Sequence, residues 1–295
     1  YIDLENTYSI KGIFVWLIFF YHKSAYGVIK KYIYKSITRN FGQKVVSMFL
    51  FYSGFGINES FKKRGIDYIK TLPIKAFILF LKFQIILLIF LIVNIFVLNN
   101  RITLKLYFFS IIFRASLGNS NWFAFTIIVF YIYSFISFLF VKKNLYGIII
   151  LSFICFFHSI FVYNYYYTKK ISTVDNILCF IIGFYYSLFK IYINRIVMKN
   201  DISYFGCISI IIIIYYKVLM INRIIFISIR NALFALLIVL ISMKVKFNNN
   251  FLIFLNSHSF SIYLFQRLVF LIVYEIKIFK DSGFVQIVFE FISIC

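Results

Sequence analysis

The strongest constraint on this chain is a series of apolar runs separated by short polar segments. A helix that crosses a membrane needs about 20 apolar residues, because lipid cannot satisfy its backbone hydrogen bonds. The runs therefore predict an all-α, polytopic integral membrane helical bundle with about ten transmembrane helices. We place the spans at 9–27, 43–57, 72–98, 121–141, 145–163, 173–190, 202–221, 223–243 and 255–276, with a partial one from 283.

The connections between these runs are short and polar, as in Asn248 to Asn250, and they leave no room for a separate soluble domain. We therefore expect a single integral-membrane domain over 1–295. The chain has no initiator Met, and its last apolar run stops at Cys295 without a flanking loop. We expect both termini to be incomplete.

The composition excludes an ordinary soluble domain, in which about half the residues are apolar and about a quarter are charged. Here 63% are hydrophobic, 14% are charged and the mean hydropathy is +0.94. The formal net charge is +22, but the basic residues are scattered between apolar runs and form no nucleic-acid motif. We expect a lipid bilayer with anionic lipids as the general partner, and no nucleic acid.

Two neighbouring polar segments are both basic, although they follow consecutive spans and should lie on opposite faces of the membrane. One of them should therefore do something other than set the topology, such as holding a polyanionic ligand. The first contains Lys30, Lys31, Lys35, Arg39 and Lys44, and the second contains Lys62, Lys63, Arg64 and Lys70.

Metal and disulfide sites are not indicated. The four cysteines are widely spaced and form no C-x-x-C pair, and His158 and His258 have no companion ligand three or four residues away. No phosphate-binding loop motif occurs either. We predict no metal and no permanently bound cofactor.

The first span carries two polar residues at membrane depth. The apolar stretch from Ile13 to Tyr21 is far too short to cross a bilayer, so Lys11 or His22 must lie inside it. Eleven helical residues make three turns plus about 20°, so the two side chains share one face, about 16 Å apart. A neutral His at depth can act as a general base, and a Lys nearer the surface can hold an anion. The alternative is a snorkelling Lys and a His bonded to a neighbouring helix.

Three further segments are candidates, each with a structural alternative. The glycines of Ser53–Gly56 permit close packing, and Asn119–Trp122 is explained at least as well by an interfacial Trp. Ser259, Tyr263 and Gln266 follow His258 at helical spacing and are followed by Arg267. This polar stripe is about as consistent with a site as with hydrogen bonds between helices.

Taken in order, these pieces resemble the integral-membrane acyltransferase 3 family. Five segments carry the resemblance: Glu5–Gly12 with His22, Ser53–Gly56 with Lys63–Lys70, Trp122–Phe123 with Tyr131, Asn176–Gly183 with Lys190, and His258–Tyr263. Two positions depart from the family pattern. Lys70 and Lys75 stand where the family often has two arginines, and Gln266 replaces a late His.

The resemblance implies transfer of an acyl group, most often acetyl from acetyl-CoA as donor substrate, to a hydroxyl of a cell-surface or exported carbohydrate acceptor. It implies a multi-pass protein of the plasma (inner) membrane, with His22 activating the hydroxyl and Lys11 orienting the anionic donor. Further donor-binding or substrate-binding residues are expected at Arg64, Lys70, Lys75, Trp122, Tyr131, Ser259, Tyr263 and Arg267.

Other classes of membrane protein share the many spans and short loops. A transporter or flippase of lipid-linked sugars should tolerate loss of His22 and show no dependence on acyl-CoA. A polysaccharide polymerase usually has a large extramembrane loop, whereas the longest polar gaps here are about 15 to 20 residues. A structural anchor without a site is disfavoured by polar Lys11 and His22 on one helix face.

Overall fold

In the computed structural model, the structure describes residues 4–25, 32–141, 143–165, 174–221 and 224–276. The partial span predicted from 283, and Cys295, lie outside these residues, as do Lys30 and Lys31. Within the described part of the chain every regular element is helical. The twelve helices are α1 (Leu4–Ala25), α2 (Tyr32–Arg64), α3 (Ile66–Lys70), α4 (Leu72–Phe96), α5 (Leu104–Ile111), α6 (Asn121–Leu139), α7 (Asn144–Tyr165), α8 (Val174–Val197), α9 (Asp201–Leu219), α10 (Ile224–Lys244), α11 (Asn250–Ser257) and α12 (Ser259–Ile276).

The predicted all-α class is confirmed for the described residues, and six segments among them are long and apolar enough to cross a membrane. They are Ile66–Phe96, Asn121–Leu139, Asn144–Val162, Val174–Val197, Asp201–Leu219 and Phe226–Lys244. The number of about ten transmembrane helices is not confirmed by the described residues. The first two predicted spans are helical, but α1 and α2 contain too many polar residues to be among these six segments.

The span predicted at 255–276 is divided, because α11 ends at Ser257 and α12 begins at Ser259. The Ser257 hydroxyl donates to the Phe254 carbonyl, and His258 lies within hydrogen-bond distance of the same oxygen. These polar side chains bind the last carbonyl groups of α11, so the helix ends where hydropathy alone predicts continuity. The described side chains of α12 form an apolar segment over Ser259–Val273.

The described helices form two compact units that alternate along the chain. Unit 1 comprises the described residues of Tyr1–Thr7, Gln43–Ala76 and Val129–Phe247, and unit 2 comprises those of Tyr8–Gly42, Phe77–Ile128 and Asn248–Cys295. The expectation of a single domain over 1–295 stays a prediction.

Unit 1 is built around α8, which packs on α7, α10 and α9. It also lies directly on α2 at two glycines. A Cβ on Gly54 would be 2.2 Å from the Phe180 carbonyl oxygen, and a Cβ on Gly183 would be 2.2 Å from that of Phe51. The two backbones therefore touch at Gly54, whereas a Cβ on Gly56 would meet nothing within 4 Å.

Unit 2 brings α1, α11 and α12 together with the segment that precedes α6. A Cβ on Gly12 would be 2.1 Å from the Leu252 carbonyl oxygen, so α1 and α11 are in backbone contact. The aromatic rings of Phe19 on α1 and Phe270 on α12 lie 5.3 Å apart. These contacts place α12 beside the helix that carries Lys11 and His22.

Candidate functional site

The structure divides the predicted site residues between the two units. Unit 2 contains Lys11, His22, Trp122, Ser259, Tyr263 and Arg267, and unit 1 contains Arg64, Lys70, Lys75 and Tyr131. Each group is described by itself.

The two polar residues of the first predicted span lie on one unbroken helix, α1. Lys11 is half-buried, and His22 is buried with 9% of its surface exposed. The following residue, Lys23, is fully buried, although the sequence did not single it out, since a Lys at the end of a span ordinarily reaches solvent. The last turn of α1 therefore places polar side chains in the interior of unit 2.

On α12, Tyr263 packs against this histidine. Its ring centroid lies 6.4 Å from that of His22 in an edge-on arrangement, and 4.9 Å from that of Phe123 on α6. Tyr263 is 5% exposed, and its hydroxyl donates a 3.0 Å hydrogen bond to the Ser120 hydroxyl, which is also buried. The backbone of Tyr263 is thus fixed by α12, and its hydroxyl is fixed by the hydrogen bond to Ser120.

Ser120 is positioned by the turn before α6. The Asn119 side-chain oxygen accepts hydrogen bonds from the Leu117 amide and the Ser116 hydroxyl, both at 3.0 Å. Gly118 adopts φ +100°, a left-handed conformation that favours glycine. The side-chain amide of Asn94 on α4 donates a 2.9 Å hydrogen bond to the Leu117 carbonyl, and this bond connects the turn to α4. The sequence motif Asn119–Trp122 indicated this region as a candidate site, but it did not predict that Ser120 contacts Tyr263.

Several predicted residues lie near this group without joining it. Trp122 is half-buried and its ring meets that of Phe123 at 6.1 Å. Ser259 is the half-buried first residue of α12. His258 is exposed and bonds to Ser257, so it terminates α11. Gln266 is fully buried, and its amide nitrogen donates to the Tyr263 carbonyl of its own helix.

In unit 1, two of the predicted donor-binding cations meet at one aromatic ring. The Arg64 guanidinium lies 4.5 Å from the ring centroid of Tyr68, and the Lys75 ammonium lies 4.2 Å from it. Tyr131 on α6 belongs to the same unit. Lys70 is exposed at the end of α3. We call Arg64, Tyr68 and Lys75 the tyrosine clamp.

A second group of charges in unit 1 was missed by the sequence analysis. Glu59 accepts hydrogen bonds from Lys62 at 3.0 Å, from Lys190 at 3.0 Å and from the Ser187 hydroxyl at 2.7 Å. Glu59 follows the apolar part of α2 and its side chain is 23% exposed. Burial would raise the pKa of Glu59, but these hydrogen bonds together lower it below its ordinary 4.5. We call these residues the Glu59 cluster.

Metal ligands are not grouped in the described part of the chain. Nowhere in it do three or more His, Cys, Asp or Glu side chains come together as a metal ion requires. Cys155 and Cys179 are buried and Cys207 is half-buried, all as free thiols. The predicted site residues in the described part of the chain present imidazole, hydroxyl, indole, guanidinium and ammonium groups.

No family model, curated protein or solved structure matches this chain. The similarity to the acyltransferase 3 family therefore rests on its sequence motifs. A functional interpretation therefore depends on the side chains grouped around His22 and around Tyr68.

Proposed function

We propose that this protein is a membrane-embedded O-acyltransferase of the plasma membrane, with about ten spans. It transfers an acyl group, most often acetyl, from acyl-CoA to a hydroxyl of a cell-surface or exported carbohydrate. The observation that carries the proposal is buried His22 facing Tyr263, on the helix that also carries Lys11. The order of the sequence motifs supports the same reaction.

The chemistry of His22 suits this reaction. A sugar hydroxyl is a poor nucleophile by itself and needs a base to take its proton as it attacks a thioester. A buried imidazole is kept neutral by its apolar surroundings, and a neutral imidazole can accept that proton. Tyr263 packs against the imidazole and limits its orientations, while Lys11 orients the anionic donor.

The tyrosine clamp is assigned to the phosphates of the donor. Coenzyme A carries several phosphate charges, and Arg64 and Lys75 are two cations that no described carboxylate neutralises. A guanidinium and an ammonium beside an aromatic ring bind phosphate while the ring covers the apolar stems of both side chains. Lys70 adds to the positive potential that attracts the donor.

The test is acyl transfer in membranes that contain the full chain, wild type or His22→Gln. We expect the variant to reduce transfer of labelled acetyl from acetyl-CoA to the surface polysaccharide by about 100-fold or more, because a general base is lost. The mass of the polysaccharide should fall by one acetyl group per modified unit.

The matched control is His258→Gln, because His258 is exposed and outside the group around His22. It should transfer acetyl like the wild type. Undiminished acetylation in His22→Gln, with the protein present in the membrane, would contradict the assignment of the base. Sugar export without any dependence on acyl-CoA would favour a transporter instead.

A further inference from the structure

Arg267 has a position in unit 2 that simple packing does not explain. It follows Tyr263 by four residues on α12, so the two side chains lie on the same helix face, one turn apart. Arg267 is half-buried, and Tyr263, one turn away on the same face, lies with its ring centroid 6.4 Å from that of His22. A cation therefore lies on the face of α12 whose tyrosine packs against the proposed base.

The guanidinium of Arg267 is not fully satisfied by the protein. Its Nε atom is buried, and no described residue accepts a hydrogen bond from it. None of the ion pairs between described residues includes Arg267 either. Leaving a buried N–H without an acceptor costs free energy, so such a group indicates that an acceptor binds there.

Two neighbouring polar groups are also incompletely bonded. The Gln266 side-chain oxygen is buried without a donor, and the Asn119 side-chain nitrogen is buried without an acceptor. Asn119 precedes Ser120, which binds the Tyr263 hydroxyl. The surroundings of Tyr263 thus offer more hydrogen-bonding capacity than the described side chains use among themselves.

We propose that Arg267 is a catalytic residue that binds the carbonyl oxygen of the acyl thioester and stabilises the negative charge that forms on it. This inference rests on the proposed function, and it assigns a specific role within that reaction. A planar guanidinium with a buried, unused N–H is well suited to an oxyanion, because it is already oriented before charge develops.

In the proposed acyl transfer, His22 takes the proton of the acceptor hydroxyl while the hydroxyl oxygen forms a bond to the carbonyl carbon. The carbonyl electron pair moves to oxygen, where Arg267 donates to it. When the pair returns, the carbon–sulfur bond breaks, and the leaving thiolate takes the proton from His22. The products are the O-acyl carbohydrate and coenzyme A with a free thiol.

The experiment compares wild type, Arg267→Gln and Arg267→Lys in acetyl transfer from acetyl-CoA to the polysaccharide, with rates normalised to the protein present in the membrane. A hydrogen-bond donor that acts only in the transition state affects kcat and leaves KM nearly unchanged. We expect kcat to fall about 100-fold in Arg267→Gln. The fall in kcat should be smaller in Arg267→Lys, because this variant keeps the positive charge. Added guanidinium ion should restore part of the rate that Arg267→Gln loses.

Arg114 provides the matched control, because it is an exposed arginine of the same unit. Arg114→Gln should have wild-type kcat. A raised KM with normal kcat in Arg267→Gln, or no change at all, would overturn the oxyanion role and leave the proposed function standing. Loss of both Arg267 variants from the membrane would make the residue structural and would also overturn it. A wild type that transfers no acyl group from any thioester would overturn both proposals.

Discussion

Two groups of cations at the end of α2 contrast in how their charge is balanced. In the Glu59 cluster, one carboxylate accepts hydrogen bonds from Lys62 and Lys190, and the Ser187 hydroxyl binds the same carboxylate. In the tyrosine clamp, Arg64 and Lys75 flank one aromatic ring, and no ion pair between described residues includes either of them. The first group contains its own anion, whereas the second does not.

The difference separates a structural role from a binding role. A cation that is already paired connects helices and has little capacity left for a ligand. A cation that rests on a ring keeps its hydrogen-bond donors available for an anion from outside. Arg267 in unit 2 resembles the clamp cations in one respect, because its Nε keeps a donor that no described residue uses.

The largest effect is expected where α2 and α8 touch, because the Glu59 cluster depends on that contact. In Gly183→Ala, the new Cβ would lie 2.2 Å from the Phe51 carbonyl oxygen and 2.9 Å from the Phe55 nitrogen. Both are backbone atoms, so the helices must separate. We expect a cost of about 3 kcal/mol or more, measured as a fall in melting temperature of about 10 °C.

Gly206→Ala is the matched control, since a Cβ at Gly206 meets nothing within 4 Å. It should melt like the wild type or slightly higher, because Ala favours the helix. Equal melting temperatures for the two variants would contradict the close α2–α8 contact.

A smaller effect is expected from Glu59→Gln, which leaves Lys62 and Lys190 without their shared carboxylate. Hydrogen bonds to a charged group contribute about 1.5–3 kcal/mol, so the melting temperature should fall by about 5 °C. Because the pKa of Glu59 is lowered, its contribution is complete above pH 4.5 and is lost as the pH falls through the lowered pKa. The difference between wild type and variant, measured by melting at several pH values, should therefore shrink in acid.

Asp67→Asn removes an exposed carboxylate from the same region and provides the comparison. It should leave the melting temperature within about 1 °C of the wild type at every pH. If Asp67→Asn destabilised the protein as much as Glu59→Gln, the Glu59 cluster would have no special structural role.

The smallest effect is expected from the double variant Arg64→Gln, Lys75→Gln. These two side chains are partly solvated, and such cations contribute about 0.5–1 kcal/mol each to binding an anion. The KM for acyl-CoA should rise about five- to tenfold, with the melting temperature unchanged, and the rise should be smaller at high salt.

Lys63→Gln is the control for the clamp, because Lys63 is an exposed neighbour. Its KM should change by less than about twofold. A clamp variant that loses stability while its KM stays the same would assign Arg64 and Lys75 to structure, and the contrast with the Glu59 cluster would disappear.

The sequence predicted all six membrane-length segments, because hydropathy adds up along a segment whatever its neighbours are. Most of their ends lie within three residues of the prediction, but Val174–Val197 ends seven residues after the predicted 190 and Ile66–Phe96 begins six residues before the predicted 72. It also singled out Tyr263 and Arg64. It did not predict the break at His258, which depends on two polar side chains bonding to the last turn of α11. Nor did it predict that Ser120 would bind Tyr263.

By itself, then, the sequence determined that the chain has helices long and apolar enough to cross a membrane, and it singled out Lys11 and His22 as polar residues on one helix. Only the tertiary structure decided which polar groups are paired. Glu59 meets Lys190 and Tyr263 meets Ser120 across separations of more than a hundred residues. Such pairings depend on how helices pack, whereas hydropathy is a property of each segment alone. The unpaired Nε of Arg267 is visible only once those pairings are known.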